Sequence, residues 1–339
     1  MDDKAKLLLV GVQGEEHIGT HLRHAADGVG LPTLFCDMAG ASGERTWLNR
    51  VRWRMNGHRP ARMRQFGEQV VQACRESGAR RLLATGLAPL EEEVLREIGR
   101  LGIDRINYLT DDPWNKAHRA PWFLRALKQY DRVFSTRRAA LEDLRGIGCR
   151  DARFLPFAYA PGIHHPATLT EQEKRDFSSD LLFVGGADRD RVPLVRFLIL
   201  RGFPVALYGS GWERHAEMRP YYKGYATAEI FRKAVAGAKI NLCLVRKANR
   251  DGNSMRSFEI PAMKGCVLAE ETEEHLQILG KEGEAARYFR TPERMVEAAR
   301  ELLENEGERN RLASEAHRRI TLGGNTYLDR LKTMLEGRP

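Results

Sequence analysis

Short apolar runs alternate along this chain with segments of helical period, and that alternation restricts the fold more than any other feature. KLLLVGV (6–12) reads as a buried strand, followed by a glycine-containing turn and a helix over 17–29. Strand-like runs recur as LPTLFCDM (31–38), RLLATGL (81–87), RINYLTD (105–111), RVFSTR (132–137) and RFLPFA (153–158). Helical patterns fill most of the gaps, for example 91–101 and 122–130. Such a rhythm predicts βαβ units, with parallel strands and helices on both faces of the sheet.

The rhythm then breaks. Residues 160–179 (APGIHHPATLTEQEKRDFSS) are polar, contain two prolines and lack a convincing period, so an interdomain linker is expected at 161–179. It restarts with DLLFVGG (180–186), a helix over 191–201, FPVALYG (203–209), a helix over 227–236, KINLCLV (239–245) and CVLAE (266–270), and ends in a helical tail from 291. The expected fold class is α/β, with two Rossmann-like doubly wound domains facing a central cleft. The N-terminal domain spans 1–160 and the C-terminal one 180–320. A C-terminal helical stretch, 321–339, is expected to pack back on the first. Ligands of such sheets bind beyond the carboxyl ends of the strands.

With 339 residues, 42% of them hydrophobic, the chain is long enough for two cores. Cys36, Cys74, Cys149, Cys243 and Cys266 show no C-x-x-C spacing and read as reduced core residues, with no metal cluster or disulfide framework. The N-terminal apolar run is too short for a signal segment or a membrane span, and no later run is long enough to span. A soluble, cytoplasmic protein is expected. The net charge of +9 favours anionic ligands or surfaces without choosing among nucleotide, phospholipid and nucleic acid.

The stretch NRDGNSMRSFEIPAMKGCVLAE (249–270) places arginines and acids at the front of an apolar helix. With a helix over 254–264, residues 251–254, including Asn253 and Ser254, form the loop feeding its N-terminus, where backbone N–H groups and the helix dipole attract phosphate. Arg256 in the first turn suits a diphosphate, and Glu259 three residues on suits ribose hydroxyls. The plainer reading is an exposed i, i+3 ion pair.

This block, continuing into EETEEHL, resembles the C-terminal block of CgeB-like, group 1-type glycosyltransferases, in which Arg-x-Phe-Glu-x-Pro-Ala precedes a Gly, a strand and Thr-Glu-Glu-His. LLFVGG, ALYGSGW (206–212) and YLTDDPWN (108–115) extend the likeness over most of the chain. The resemblance implies the GT-B fold, with the donor nucleotide on the C-terminal domain and the acceptor largely on the N-terminal one. It implies that Glu259 holds the ribose and that Asp251, eight positions earlier, lies against the transferred sugar. Arg191 then reaches the diphosphate; Lys247 and Arg250 are either further cations for it or solvated. Gly209, Ser210 and Gly211 form the glycine-rich turn, and the next loop, 222–231, holds the base through backbone groups; Tyr225 in it either stacks on the base or serves packing. No cofactor or catalytic metal is implied; the nucleotide-diphosphate sugar is a substrate.

In the N-terminal half, Gly11 and Gly14 let substrate approach the first βα turn, but GVQG is not a dinucleotide fingerprint. His17 follows and either faces the cleft or caps the helix. Asp111 and Asp112 end a strand before Pro113; one of them either deprotonates an acceptor hydroxyl or forms an Asp-Pro turn. D-D-P is not a metal-binding D-x-D motif. From Arg45 to Phe66 stand seven arginines (45, 50, 52, 54, 59, 62, 64) and no acid, with Trp47, Leu48, Val51 and Met55 on one helical face. That segment is either a solvated basic helix or the contact for an anionic acceptor or surface.

The expected activity is metal-independent transfer of a sugar from a nucleotide-diphosphate sugar to an acceptor hydroxyl. The alternatives are a GT-B-fold sugar-nucleotide epimerase and a non-catalytic module that binds anionic ligands or nucleic acid.

Overall fold

The computed structural model describes residues 6–42 and 47–336, and the chain divides into two units. The first comprises residues 1–156 and 327–339, the second residues 157–326.

The first unit is built on six parallel strands: β1 (Leu7–Gly11), β2 (Thr33–Asp37), β3 (Arg81–Thr85), β4 (Asp104–Leu109), β5 (Arg132–Ser135) and β6 (Ala152–Phe154), in the order β2-β1-β3-β4-β5-β6. All five residues of β1 are buried, as expected for a strand covered on both faces. Val10, Leu82, Ala84 and Leu109 form part of a core with Val70 of the helix Met63–Ser77 and with Leu95 and Ile98 of the helix Glu92–Arg100. The order reverses between β1 and β3, so the carboxyl ends of these two strands frame the crevice where ligands of such sheets bind.

The second unit has five parallel strands: β7 (Ser179–Val184), β8 (Val205–Tyr208), β9 (Ala238–Cys243), β10 (Val267–Glu270) and β11 (Arg287–Phe289), in the order β11-β10-β9-β7-β8. Its switch point lies between β7 and β9. Leu181, Phe183, Leu207, Ile240, Leu242 and Leu268 form a separate core with Val195 and Leu198 of the helix Arg191–Leu200 and Met295 and Ala299 of the helix Pro292–Glu304.

Two expectations are corrected. The segment expected as a linker belongs to the second unit and carries the helix Glu171–Phe177. None of that helix is buried; it is fixed by a reciprocal cap, the Thr170 hydroxyl accepting from the Glu173 amide and the Glu173 carboxylate from the Thr170 amide. The helix expected at 254–264 is shorter, Arg256–Ala262. β11 had no counterpart in the sequence reading. The final helix, Tyr327–Leu335, belongs to the first unit: Tyr327 stacks on His21 at 4.9 Å between ring centroids, and Arg330 donates to the Pro156 carbonyl at 2.9 Å. Among the described residues no helix is long and apolar enough to cross a membrane.

Candidate functional site

At the switch point of the second unit, two glycine turns lie against each other. Gly185 and Gly186 follow β7, and Gly209-Ser210-Gly211 follows β8. The Gly185 amide donates to the Tyr208 carbonyl (2.9 Å) and the Ala187 amide to the Ser210 carbonyl (2.8 Å). Gly209 has φ 120°, and a Cβ there would stand 2.4 Å from the Gly185 carbonyl oxygen. Only glycine meets both demands. Trp212, fully buried, donates its indole N–H to the Gly185 carbonyl (2.8 Å) and fixes the first turn from below.

Two arginines brace the same strand ends. Arg191 is 6% exposed; it donates to the Leu244 carbonyl (3.1 Å), lies 3.3 Å from the Asp188 carboxylate and covers the Phe183 ring. Burial lowers its pKa, while Asp188 and Asp251 hold its charge in place. Arg256 donates to the Val184 carbonyl (3.0 Å), lies 4.2 Å over the Phe231 ring and pairs with Glu259.

Glu259 is 1% exposed, so its charge needs partners. Arg256 supplies one on Oε2. The second, on Oε1 at 3.4 Å, is His164. His164 accepts the Ala160 amide proton at Nδ1 (3.0 Å), which places its own proton on Nε2, facing the carboxylate. Burial pushes the His164 pKa down; Glu259 opposes this and Arg256 adds to it. The sequence reading missed His164 because it stands in the segment taken for a linker, where no periodic pattern assigns it a direction.

The Thr-Glu-Glu-His block acts as a clamp on the loop before Arg256. Thr272 donates its hydroxyl to the Gly252 carbonyl (2.5 Å) and accepts the His275 amide (3.0 Å). Glu274 accepts from the Asn253 side-chain amide, and its carboxyl carbon would stand 2.5 Å from a Cβ on Gly252. His275, fully buried, donates from Nδ1 to the Glu270 carbonyl (2.7 Å), leaving Nε2 to meet the Ser257 hydroxyl at 2.8 Å. Asn253 is thus buried as a scaffold. The Ser254 amide donates to the Ser257 hydroxyl (2.9 Å), so it is not one of the open N–H groups expected at this helix start. Arg250 takes a left-handed conformation (φ 51°), Lys247 is exposed, with its ammonium 4.0 Å from Glu270, and Tyr225 is 63% exposed.

In the first unit, His17 is exposed at the start of the helix Ile18–Gly28 and makes no side-chain cap; its ring lies against Gly14. A Cβ on Gly11 would meet Thr85 Oγ1 at 3.1 Å, and one on Gly86 would meet Thr110 Oγ1 at 3.0 Å and Asp111 Oδ2 at 3.8 Å. His17 therefore follows β1 and Asp111 follows β4, with β3 between them. Asp112 is 1% exposed, and its carboxylate accepts the Trp114 amide (3.0 Å) in a turn. This geometry favours the turn reading for Asp112, whereas Asp111 is half-buried. Of the basic segment, Arg45 lies outside the described residues, as do the side chains of Leu48, Arg50 and Arg52. Arg59 pairs with Glu91 at 2.8 Å and Arg64 with Glu68 at 3.1 Å; Arg54 and Arg62 are exposed. Among the described residues no group of three or more His, Cys, Asp or Glu is arranged to hold a metal ion.

Comparison with curated proteins returned no match. A family model described as "Glycosyl transferase-like" matches residues 191–336, which include both arginine braces and the clamp. Among solved structures, sucrose-phosphate synthase from Thermosynechococcus elongatus aligns with a TM-score of 0.67 at 13% identity, covering 96% of each chain. HepE of Anabaena, in complex with UDP and glucose, aligns at 0.65 and 12% identity over 97% of each chain. A putative UDP-N-acetylglucosamine 2-epimerase from Listeria monocytogenes aligns at 0.59 and 12% identity over 94% of each chain. Two parallel α/β sheets matched over nearly their whole length by such structures define the GT-B fold, and residues 191–336 of it are similar to the family described as glycosyl transferase-like.

Proposed function

We propose that this protein transfers a sugar from a nucleoside-diphosphate sugar to an acceptor hydroxyl, with the donor held by the second unit. The observation that carries the reading is the convergence beside the β7/β9 switch point of two glycine turns, two braced arginines and the Arg256–Glu259–His164 cluster. The turns let a diphosphate approach the backbone. Arg191 and Arg256 set a positive field there, with Lys247 and Arg250 at the rim. Glu259 receives the ribose hydroxyls, Asp251 lies toward the transferred sugar, and Tyr225 offers a face to the base. That HepE, a structure of the same fold, was solved in complex with UDP and glucose supports a nucleotide as the ligand.

Catalysis then rests on positioning and on stabilising the departing diphosphate. Asp111, or His17 beside the β1 turn, takes the acceptor proton. The cations supply the charge stabilisation, so no metal is required, and activity should persist after chelator treatment. Loss of turnover in EDTA with recovery on adding magnesium or manganese would overturn that part.

The first test is a thermal-shift series with uridine, guanosine, adenosine and thymidine diphosphates. One of them should raise the melting temperature; no shift with any would remove the donor site. Product analysis then separates transfer from epimerisation: a transferase needs an acceptor, whereas an epimerase converts the sugar nucleotide alone.

A further inference from the structure

The basic segment of the first unit is not used by the donor site, and its helix carries an apolar stripe in the open. Trp47, Val51 and Met55 are 71%, 44% and 81% exposed. They stand at i, i+4 and i+8 of the helix Trp47–Met55, which puts them on one face. The helix is anchored at its far end. Trp53 stacks on His58 at 4.1 Å, the His58 amide donates to the Trp53 carbonyl (2.8 Å), and His58 Nδ1 donates to the Arg119 carbonyl (2.8 Å). The segment and the loop that holds His58 carry exposed cations: Arg54, Arg62 and the Glu91-paired Arg59 from the segment itself, and Lys116 and Arg119 from that loop.

We infer that this face docks on an anionic lipid bilayer, with the helix lying in the interface and the arginines on the headgroups. Bulky apolar residues, tryptophan among them, aligned on a short helix with cations beside them, have the chemistry of an interfacial anchor. Two other occupants fit less well. A nucleic acid satisfies the arginines but leaves Val51 and Met55 in water. A second copy docked through the same patch brings arginine against arginine. Because no helix among the described residues can span a bilayer, the contact is peripheral. The inference rests on the first unit alone and stands whether or not the second binds a nucleotide.

The test is cosedimentation of the full chain with vesicles of phosphatidylcholine, with and without about a third phosphatidylglycerol. Each basic residue near an anionic surface raises binding by about fivefold, so wild type should sediment at least about tenfold more strongly with the anionic vesicles and be released by salt. The triple variant Trp47→Gln, Val51→Gln, Met55→Gln keeps helix-forming residues at exposed positions and should fold with an unchanged melting curve while losing about tenfold or more of this binding. Arg54→Gln with Arg62→Gln should remove the preference for the anionic vesicles. Equal sedimentation of wild type and the triple variant, or no vesicle binding at all, overturns the proposal. So does tight binding of a DNA duplex that vesicles do not displace, or a concentration-dependent dimer abolished by the same triple variant.

Discussion

Glu259 shows how one buried charge organises a site. With 1% exposure it is held by Arg256 on one oxygen and His164 on the other, and Arg256 is itself held by the Val184 carbonyl at the end of β7. A ligand that engages this carboxylate therefore meets a preset geometry. Glu259→Gln keeps the shape and removes the charge, and hydrogen bonds to a charged group are worth about 1.5–3 kcal/mol. Nucleoside-diphosphate affinity should fall about ten- to a hundredfold in calorimetric titration. Equal affinities in two folded proteins would reduce Glu259 to a structural ion-pair partner. His164 makes a second prediction, with a defined sign. Burial depresses its folded-state pKa, so the unfolded chain binds more protons than the native one as pH falls below about 6.5. Stability is therefore lost through that window toward acid. Replacing His164 with Gln should make the drop in melting temperature between about pH 7 and pH 5 smaller than in wild type. An identical acid drop in both proteins would show that His164 does not titrate on unfolding.

At the scale of elements, the loop before Arg256 owes its shape to a helix start that follows it in sequence. Thr272, Glu274 and His275 each grip a different residue of 252–257, so the Thr-Glu-Glu-His block works through the loop it positions. His275→Asn can retain a donor toward the Glu270 carbonyl while dropping the link to Ser257. It should weaken nucleoside-diphosphate binding several-fold with only a small loss of melting temperature; unchanged binding would mean that the loop holds itself. This scale also shows what a sequence discloses. Strands such as LLLVG and the LLFV run of β7 stand out because burial on both faces makes them continuously apolar. β11, three residues long, is too short to form such a run. The helix Glu171–Phe177 has no buried face, so hydrophobic period could not report it; its one signal was local, the Thr170–Glu173 capping pair. At the site, Arg256 and Glu259 were legible because charge in an apolar stretch demands a partner. His164 was not, because that partner is 95 residues away in sequence and only tertiary packing brings the two together.

For the molecule as a whole, two separate cores predict two unfolding transitions, and the division of labour makes them distinguishable. A ligand adds stability only to the state that binds it, about 2.7 kcal/mol at a hundredfold its Kd. The best-binding nucleoside diphosphate should therefore raise one transition, that of residues 157–326, and leave the other in place. The chain's last helix offers the complementary perturbation. Tyr327, Leu331 and Met334 are buried, and Arg132, 7% exposed, donates to the carbonyls of Met334 (2.9 Å) and Glu336 (2.6 Å). Ending the chain at Thr326 opens apolar surface on the first unit and leaves Arg132 without those two acceptors, a loss of several kcal/mol. Calorimetry of the shortened chain should show the ligand-insensitive transition lowered or abolished. The ligand-shifted transition should stay where it was and still respond to the nucleotide. A truncated chain whose remaining transition no longer moves with ligand would place part of the donor site outside residues 157–326, and the assignment of nucleotide binding to the second unit alone would fail.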